Sequence, residues 1–447
     1  MNYFETVIGL EIHIELSTKS KMFCSCSADY FGKKPNTHTC PICLGLPGAL
    51  PLPNRKAIEY TQQFALAVNC QLQLSNKFDR KNYFYPDLPK GFQISQYDKP
   101  FSQSGYLEIQ IDGKTKRIGI TRAHLEEDTG KLSHATINGR RVTLIDFNRS
   151  GVPLMEVVSE PDINSAQEAK IYSQKLQQIV RYLKISDADM EKGSMRIEPN
   201  VSLRKVSKVS KMLPSYKVEL KNINSFKFAE KAINFEIERQ RTILESGKTP
   251  DQETRGWDEK NNRTLSQRGK ELAHDYRYFP EPDLTPFTFS KKYIKKLHQK
   301  QVELPEEKFK RFSKEFRLSD YEIAILIRNR NYADYFEEAV IVGRKYAISP
   351  AKIAKVLINK KSNIEDILPV QFIKKILQQE SKSTFEIADL ESVVKKILRL
   401  NPKTVIDYQK GKLASLQFLI GQVQKETKGK SDAKIVKDLL LSKLDHR

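Results

Sequence analysis

Between Val7 and Leu16 apolar and polar residues alternate without a break: Leu10, Ile12, Ile14 and Leu16 fall on one side of an extended chain, Glu11, His13 and Glu15 on the other. This predicts a strand with one core face and one row of potential ligands. The same rule applied to Ile118–Asp128 gathers Arg122, His124, Glu126 and Asp128 on one face, with Ala123, Leu125 and Glu127 behind. Shorter alternating runs, Tyr106–Ile111 and Val142–Phe147, adjoin the pairs Asp112-Gly113 and Asn138-Gly139, which favour two-residue hairpin turns.

Helical spacing is interleaved with these strands. Ser165 followed three residues later by Glu168 reads as a capping box, leading into Ile171, Leu176, Ile179, Val180 and Leu183 on one face. A second helix is expected from Phe226 to Glu245, stopped by Gly247. Up to about residue 290 the chain therefore reads as one large α/β domain. After Pro282 and Pro286 strand signals fade, and Tyr321–Arg328, Ile353–Leu357 and Val393–Leu400 carry helical spacing, so the remainder reads as all-helical, with a joint expected near Ser381–Thr384. A helix over 404–424, with Val405, Leu413, Leu416, Leu419, Ile420 and Val423 apolar, precedes the basic cluster Lys425, Lys428, Lys430 and Lys434.

One stretch follows neither period. Phe78–Gln96 concentrates Arg80, Lys81, Asn82, Asp87, Lys90, Gln93, Ser95 and Gln96 among five aromatics, on backbone stiffened by Pro86, Pro89 and Gly91. It suits a rigid loop that grips a polar ligand better than it suits core or linker.

Composition changes the picture in one respect. The 447 residues carry 76 Lys and Arg against 55 Asp and Glu, a formal +21, and from Lys295 onward 32 basic residues face 20 acidic ones. Such a field suits a polyanion such as nucleic acid. No run of ~18 apolar residues is long enough to span a bilayer, and the first residues lack the basic start and apolar core of a secretory signal, so a cytoplasmic protein without a membrane partner is expected.

Two metal sites are predicted. Rows rich in carboxylate and imidazole, if adjacent in one sheet, repel unless cations neutralise them, and hard oxygen ligands suit Mg²⁺. Cys24-Ser-Cys26 and Cys40-Pro-Ile-Cys43 form C-x-C and C-x₂-C knuckles with turn residues between them, the spacing of a structural Zn²⁺ site; Cys70, ending an apolar run, reads as a buried thiol. Phosphate-binding, Rossmann, nucleophile-elbow and H-E-x-x-H motifs are absent, so a bound nucleotide would need another architecture.

Longer motifs then carry a resemblance: Val7-Ile-Gly-Leu-Glu-Ile-His, Cys40-Pro-Ile-Cys-Leu-Gly-Leu-Pro-Gly-Ala-Leu-Pro, Arg80-Lys-Asn-Tyr-Phe-Tyr-Pro-Asp-Leu-Pro-Lys-Gly, Ala123-His-Leu-Glu-Glu-Asp, Asn148-Arg-Ser-Gly-Val-Pro-Leu, Glu219-Leu-Lys-Asn-Ile-Asn-Ser-Phe, Glu253-Thr-Arg-Gly-Trp and Asp275-Tyr-Arg-Tyr-Phe-Pro-Glu-Pro-Asp. In this order they resemble the B-subunit family of the aspartyl/glutamyl-tRNA amidotransferases. The resemblance implies an α/β (α+β) cradle domain of the glutamine synthetase-like fold over residues 1–292, a helical domain over 293–378 and a helical tRNA-binding tail over 379–447. It implies a kinase: ATP and Mg²⁺ are used to phosphorylate the side-chain carboxylate of Glu or Asp misacylated onto tRNA(Gln) or tRNA(Asn). Ammonia from the partner amidase, the A subunit of a heterotrimer completed by a small C subunit, then displaces the phosphate.

By position, the resemblance assigns Glu11, His13 and Glu126 to Mg²⁺ and the catalytic centre. Arg80, Lys81, Asn82, Tyr83 and Lys90 fall in the loop flanking the cavity, where Arg80 and the lysines are expected to meet phosphate. Two positions depart from the family pattern: Glu15 stands where Gln is common, which adds a negative charge to the ligand row, and Glu198 stands where Asp is usual. Two other readings compete. A non-enzymatic zinc-bearing RNA-binding factor accounts for the charge and the cysteines but not for the Glu11/His13 and Glu126 rows. A free-standing carboxylate–amine ligase acting on a small molecule accounts for the rows but not for the basic tail.

Overall fold

In the computed structural model the described residues are all but 1–3, 207–211, 270–275, 360–363, 383–386, 428, 430 and 445–447; Lys428, Lys430 and most of the expected joint near 384 therefore lie outside them. The chain divides into two compact units, Met1–Lys308 and Phe309–Arg447.

The first unit is organised by a nine-stranded sheet, in the spatial order Arg263–Gly269, Glu253–Asp258, Val218–Lys221, Met195–Lys205, Phe4–Glu15, Pro153–Ser159, Lys114–Glu127, Ser102–Ile111, Gln71–Leu72. Every neighbouring pair is antiparallel except Val218–Lys221 with Glu253–Asp258, which the helix Phe226–Glu245 connects. Phe4–Glu15 is the central strand. Its Ile8, Leu10, Ile12 and Ile14 are almost wholly buried, and the helix residues Tyr172, Leu176, Val180, Ala232 and Ile233 join the same core. Helices cover this apolar face of the sheet, which leaves the opposite, charged face to line a cavity.

Local chemistry explains the element boundaries. Both hairpin turns place their Asn or Asp and their Gly at positive φ (Asp112 +49°, Gly113 +74°, Asn138 +50°, Gly139 +73°), as a two-residue turn matching strand twist requires. Ser165 caps the helix Ala166–Tyr182 by accepting from the Glu168 N–H at 3.1 Å. The reciprocal half of the expected box is displaced by one residue, since Glu168 accepts from the Asn164 N–H at 2.7 Å and pairs with Lys116.

Along Lys114–Glu127, Ile118 and Ile120 are buried in the core, yet so are Ala123 and Leu125, of the opposite parity. A register shift opposite Val158/Ser159 inserts one extra residue and moves the later side chains to the other face. This bulge turns Arg122, His124 and Glu126 toward the charged side.

In the second unit the helix expected over 404–424 is two helices, Pro402–Gln409 and Ala414–Glu426. Gly411 at φ +88° breaks it, and Leu413, expected on the apolar face, is 76% exposed. Val405, Leu416, Leu419 and Val423 do pack together, with Leu390, Val394, Val436 and Leu440. Among the described residues no helix is long and apolar enough to cross a membrane.

Burial decides how mutations in the two units compare. Truncating Ile12, which is fully enclosed, to Ala is expected to lower unfolding free energy by about 2–5 kcal/mol, whereas Leu413→Ala should change it by less than about 0.5 kcal/mol. Urea unfolding midpoints of the two variants test both values.

Candidate active site

Three adjacent strands supply the centre of the charged face. His13 lies directly across from Glu156, and Glu156 directly across from His124. The side chains converge: His13 Nε2 is 3.6 Å from a Glu156 oxygen and 3.9 Å from Glu126, and His124 Nε2 is 3.2 Å from Glu156 and 3.9 Å from Glu126. Ser95 donates to Glu126 at 3.0 Å. His13, Glu126 and Glu156 each offer one ligand atom within 4.8 Å of the others.

Electrostatics follow from that crowding. Two carboxylates within 4.8 Å of each other repel by on the order of 3–4 kcal/mol at an effective dielectric near 20, so the cluster is stable only with positive charge among them. Burial alone would lower the basicity of the His13 imidazole, but the hydrogen bond and charge of Glu156, with Glu198 and Glu126, lift it to about 9. Burial would raise the Glu156 carboxyl, yet the neighbouring His124 and His13 hold it well below the usual range. His13 Nδ1 is buried without a hydrogen-bond partner, the kind of polar atom that a bound ligand accounts for.

A second cluster sits one step along the same sheet. Glu11 pairs directly across from Glu198, and Asn200 across from Glu219, so that oxygens of Glu11, Glu198 and Glu219 also lie within 4.8 Å of one another. Asn200 donates to Glu11 at 3.0 Å, and Lys221 Nζ is 3.1 Å from Glu198 and 3.5 Å from Glu219. Burial, then the charges of Glu156 and Glu198, push the Glu11 carboxyl upward.

The trio Glu11, His13 and Glu126 is thus divided between two clusters. The reason is strand geometry: residues two apart share a face but stand about 6.6–6.8 Å from each other along the strand. Two members, Glu156 and Glu219, were not among the residues expected from sequence. Glu156 could have been found as the single carboxylate in the apolar run Val152–Val158, and Glu219 as the leading acid of its quoted motif. Between and around the clusters opens a cavity of about 690 Å³, lined also by Lys81, Arg122, Lys217 and Tyr278.

The segment expected as a loop is in part a pair of antiparallel strands, Asp79–Asn82 and Phe92–Ser95, and its residues divide by the same alternation. Lys81 lines the acidic cavity, where burial disfavours its charge but Glu126 and Glu156 more than restore it, raising its pKa; its Nζ stands 4.8 Å from the Tyr276 ring centre. Tyr83, of the same parity, donates to Gln93 at 3.3 Å. Arg80 and Asn82 face the other way. Arg80 forms a bidentate pair with Glu281 (2.7 and 2.9 Å), and Asn82 Nδ2 donates to the Arg277 carbonyl at 2.8 Å. Lys90 is held by Glu127 at 2.5 and 2.6 Å. Arg80, Lys90, Glu127 and Glu281 line a separate pocket of about 180 Å³ beside the cysteines, so Arg80 and Lys90 do not reach the acidic cavity in this conformation.

Glu15 departs from its expected effect. Burial and the charge of Asp128 raise its carboxyl to about 8, and Tyr30 donates to it at 3.0 Å. The fold thus favours the proton on Glu15 and weakens the negative charge it brings to the row. Asp128 takes the charge instead: against its burial, Arg149 and Arg196 hold it at about 2.

The four Sγ atoms of Cys24, Cys26, Cys40 and Cys43 lie within 4.8 Å of one another. A tetrahedral site with Zn–S of about 2.3 Å needs sulfurs about 3.8 Å apart, a spacing inside the 4.8 Å limit of this set. The hydrogen bond from Cys24 draws Cys43 down to about 4, while the same bond and burial push Cys24 up. Beneath them Lys21, fully buried, donates to the His38 carbonyl at 2.7 Å and stands 3.7 Å from Cys43 Sγ. Cys70 is buried, as expected. In the second unit Lys425 and Lys434 are exposed.

A sheet with one apolar and one carboxylate-rich face, a four-cysteine cluster and a following helical unit define a recognisable class. A family model described as the GatB/GatE catalytic domain matches residues 6–295, and a GatB domain model matches 347–444. The chain belongs to the family of aspartyl/glutamyl-tRNA(Asn/Gln) amidotransferase B subunits. It is similar to the proteins of that name from Carboxydothermus hydrogenoformans (44% identical, 99% of each chain), Dehalococcoides mccartyi (43%, 100% of each) and Persephonella marina (44%, 98% of each).

The raised His13 pKa has a signed consequence. A group lifted from 6.5 to about 9 by folding contributes stability that is fully present below pH ~6.5 and is lost as pH rises through about 9. In chelator-treated protein the His13 ring should titrate near 9 by NMR, and its contribution to the unfolding midpoint should fade between pH 6.5 and 9; saturating Mg²⁺ should shift that titration downward, because cation and proton compete.

Proposed function

We propose that this chain activates the side-chain carboxylate of Glu-tRNA(Gln) and/or Asp-tRNA(Asn) by ATP-dependent phosphorylation, as the B subunit of a glutamine-hydrolysing amidotransferase. The observation that carries this reading is the pair of carboxylate clusters on one sheet face, sharing a cavity with Lys81, Arg122, Lys217 and Lys221. Glu11, Glu198 and Glu219 offer an all-oxygen donor set and His13, Glu126 and Glu156 a set with one imidazole, both suited to divalent cations. Bound Mg²⁺ would supply the neutralisation that phosphoryl transfer to a carboxylate requires.

The chain's own residues do the rest. His124 and Ser95 orient Glu156 and Glu126. Lys81, Arg122 and Lys217 present cations from the cavity walls to incoming phosphates and to the substrate carboxylate. In the same reading residues 1–292 are a glutamine synthetase-like cradle with Zn²⁺ on Cys24, Cys26, Cys40 and Cys43, and 293–378 a helical domain. The tail, 379–447, holds tRNA through lysines such as Lys425 and Lys434. Ammonia reaches the site from the amidase (the A subunit) in a complex that also holds a small C subunit. Arg80 and Lys90, paired with Glu281 and Glu127, act on this reading as organisers of the loop, and Lys81 is its phosphate contact.

Removing a ligand separates chemistry from binding. Glu126→Gln or His13→Ala should lower ATP-dependent phosphorylation of aminoacyl-tRNA by at least about 10³-fold while leaving tRNA affinity within about twofold. Near-normal amidation by either variant at low Mg²⁺ would refute the metal assignment. Deleting residues 379–447 should instead raise KM for aminoacyl-tRNA several-fold and flatten the salt dependence, each lost phosphate contact removing about one unit from the slope of log K against log salt. Single-turnover chemistry at saturating tRNA should persist.

A further inference from the structure

The acidic cavity has two different ends. Across the sheet, the Glu11–Asn200–Lys217 end continues into a pocket of about 290 Å³ that includes Leu213, Pro214 and Gln252. The His124 end is bounded by aromatic rings. Tyr276 and Tyr278 line the cavity there, 6.0 Å apart and edge to face, and Tyr97 lies flat on Tyr278 at 4.3 Å with an interplanar angle of 8°.

This ladder runs outward into solvent. Tyr97 is 52% exposed, and Tyr85 and Phe84 are 56% and 85% exposed. The Tyr97 backbone is tethered, its N–H donating to buried Asp79 at 3.0 Å, and its ring rests on Tyr278. Cations flank the rings: Lys81 and Arg122 within the cavity, Lys99 and Arg277 exposed in the same two loops. Flat, fixed, half-wet aromatic faces beside cations form the composition that stacks nucleobases while it pairs with their phosphates.

The proposed reaction says which base arrives here. An amino acid esterified to tRNA has its side-chain carboxyl carbon five bonds (Asp) or six bonds (Glu) from the terminal ribose carbon, a reach of at most about 6–8 Å. When that carboxylate reaches the His13–Glu126–Glu156 cluster, the terminal nucleotide must sit at the adjoining rim. We propose that Tyr97, stacked on Tyr278, is the platform on which the single-stranded 3′ end of the aminoacyl-tRNA stacks its terminal adenine. This rests on the reading of the chain as one that activates aminoacyl-tRNA, and adds the subsite that presents the ester. ATP also carries an adenine; the pocket at the Glu11 end, lined without these rings, offers a separate place for it.

The test uses the complete complex with its native partners and a tRNA whose 3′-terminal adenosine is replaced by 2-aminopurine, a base that loses fluorescence when stacked. Wild type and Tyr97→Phe should quench it; Tyr97→Ala should lose most of the quenching and raise KM for aminoacyl-tRNA about tenfold, with KM for ATP and glutamine hydrolysis unchanged. Tyr97 is half-exposed and Tyr97→Leu keeps its bulk, so a Leu variant that folds but behaves like Ala assigns the loss to stacking. Full quenching and unchanged KM in Tyr97→Ala, with wild-type amidation intact, would overturn the platform alone. A platform serving ATP would show the opposite split, with KM for ATP raised and quenching of a 2-aminopurine nucleoside triphosphate lost in Tyr97→Ala. Absence of amidation by the wild-type complex would instead remove the functional reading beneath it.

Discussion

Everything in the first unit depends on a single strand being apolar on one side and ionic on the other. Ile8, Leu10, Ile12 and Ile14 bury the central strand against the helical layer. That burial holds Glu11 and His13 in a row where like charges and desolvation would otherwise drive them apart. Complete burial of each such side chain is worth about 1.5–3 kcal/mol, comparable to the repulsion between two neighbouring carboxylates, so the core and the cluster are balanced opposites built into alternate residues. The same logic recurs at the bulge in Lys114–Glu127, which leaves one residue unpaired and so brings His124 and Glu126 round to the ionic side.

The strand, hairpin and capping signals were legible because they are local. Alternation, Asp-Gly and Asn-Gly pairs, and Ser at helix starts act over two to four residues. The division of Glu11 from His13 and Glu126 was not legible, because it depends on which strands lie beside Phe4–Glu15. Pro153–Ser159 inserts between the two predicted rows and contributes Glu156, while Met195–Lys205 brings Glu198 from the other side. Likewise the alternation that separates Lys81 from Arg80 is plain once Asp79–Asn82 is known to be a strand, but the segment's Pro and Gly content reads as a loop. The cysteine cluster was readable from spacing alone, whereas the ammonium of Lys21 beneath it was not, since nothing in the sequence marks a lysine as fully buried. In the second unit the apolar spacing over 404–424 was real, but Gly411 was passed over as a break.

The charge balance of the cavity is finer than composition suggests. A net charge of +21 says nothing about a site where five carboxylates share two clusters. Locally, protons and ammonium groups set the balance: His13 and Glu15 both drawn toward their protonated forms, Lys81 and Lys221 held against acids. Substitutions that look severe in sequence, such as a carboxyl where an amide is common, become mild when the fold fixes the proton.

Glu126 and Glu127 stand back to back, one in the acidic cavity and the other holding Lys90 in the pocket beside the cysteines. A single peptide unit is the wall between two compartments. Loss or gain of one residue in this strand would carry Leu125 into the ionic cavity and His124 into the core, since a one-residue slip reverses every face. In this stretch, therefore, the number of residues is as tightly constrained as their chemistry. A deletion or insertion between the bulge and Asp128 would cost both compartments at once, where a substitution costs one.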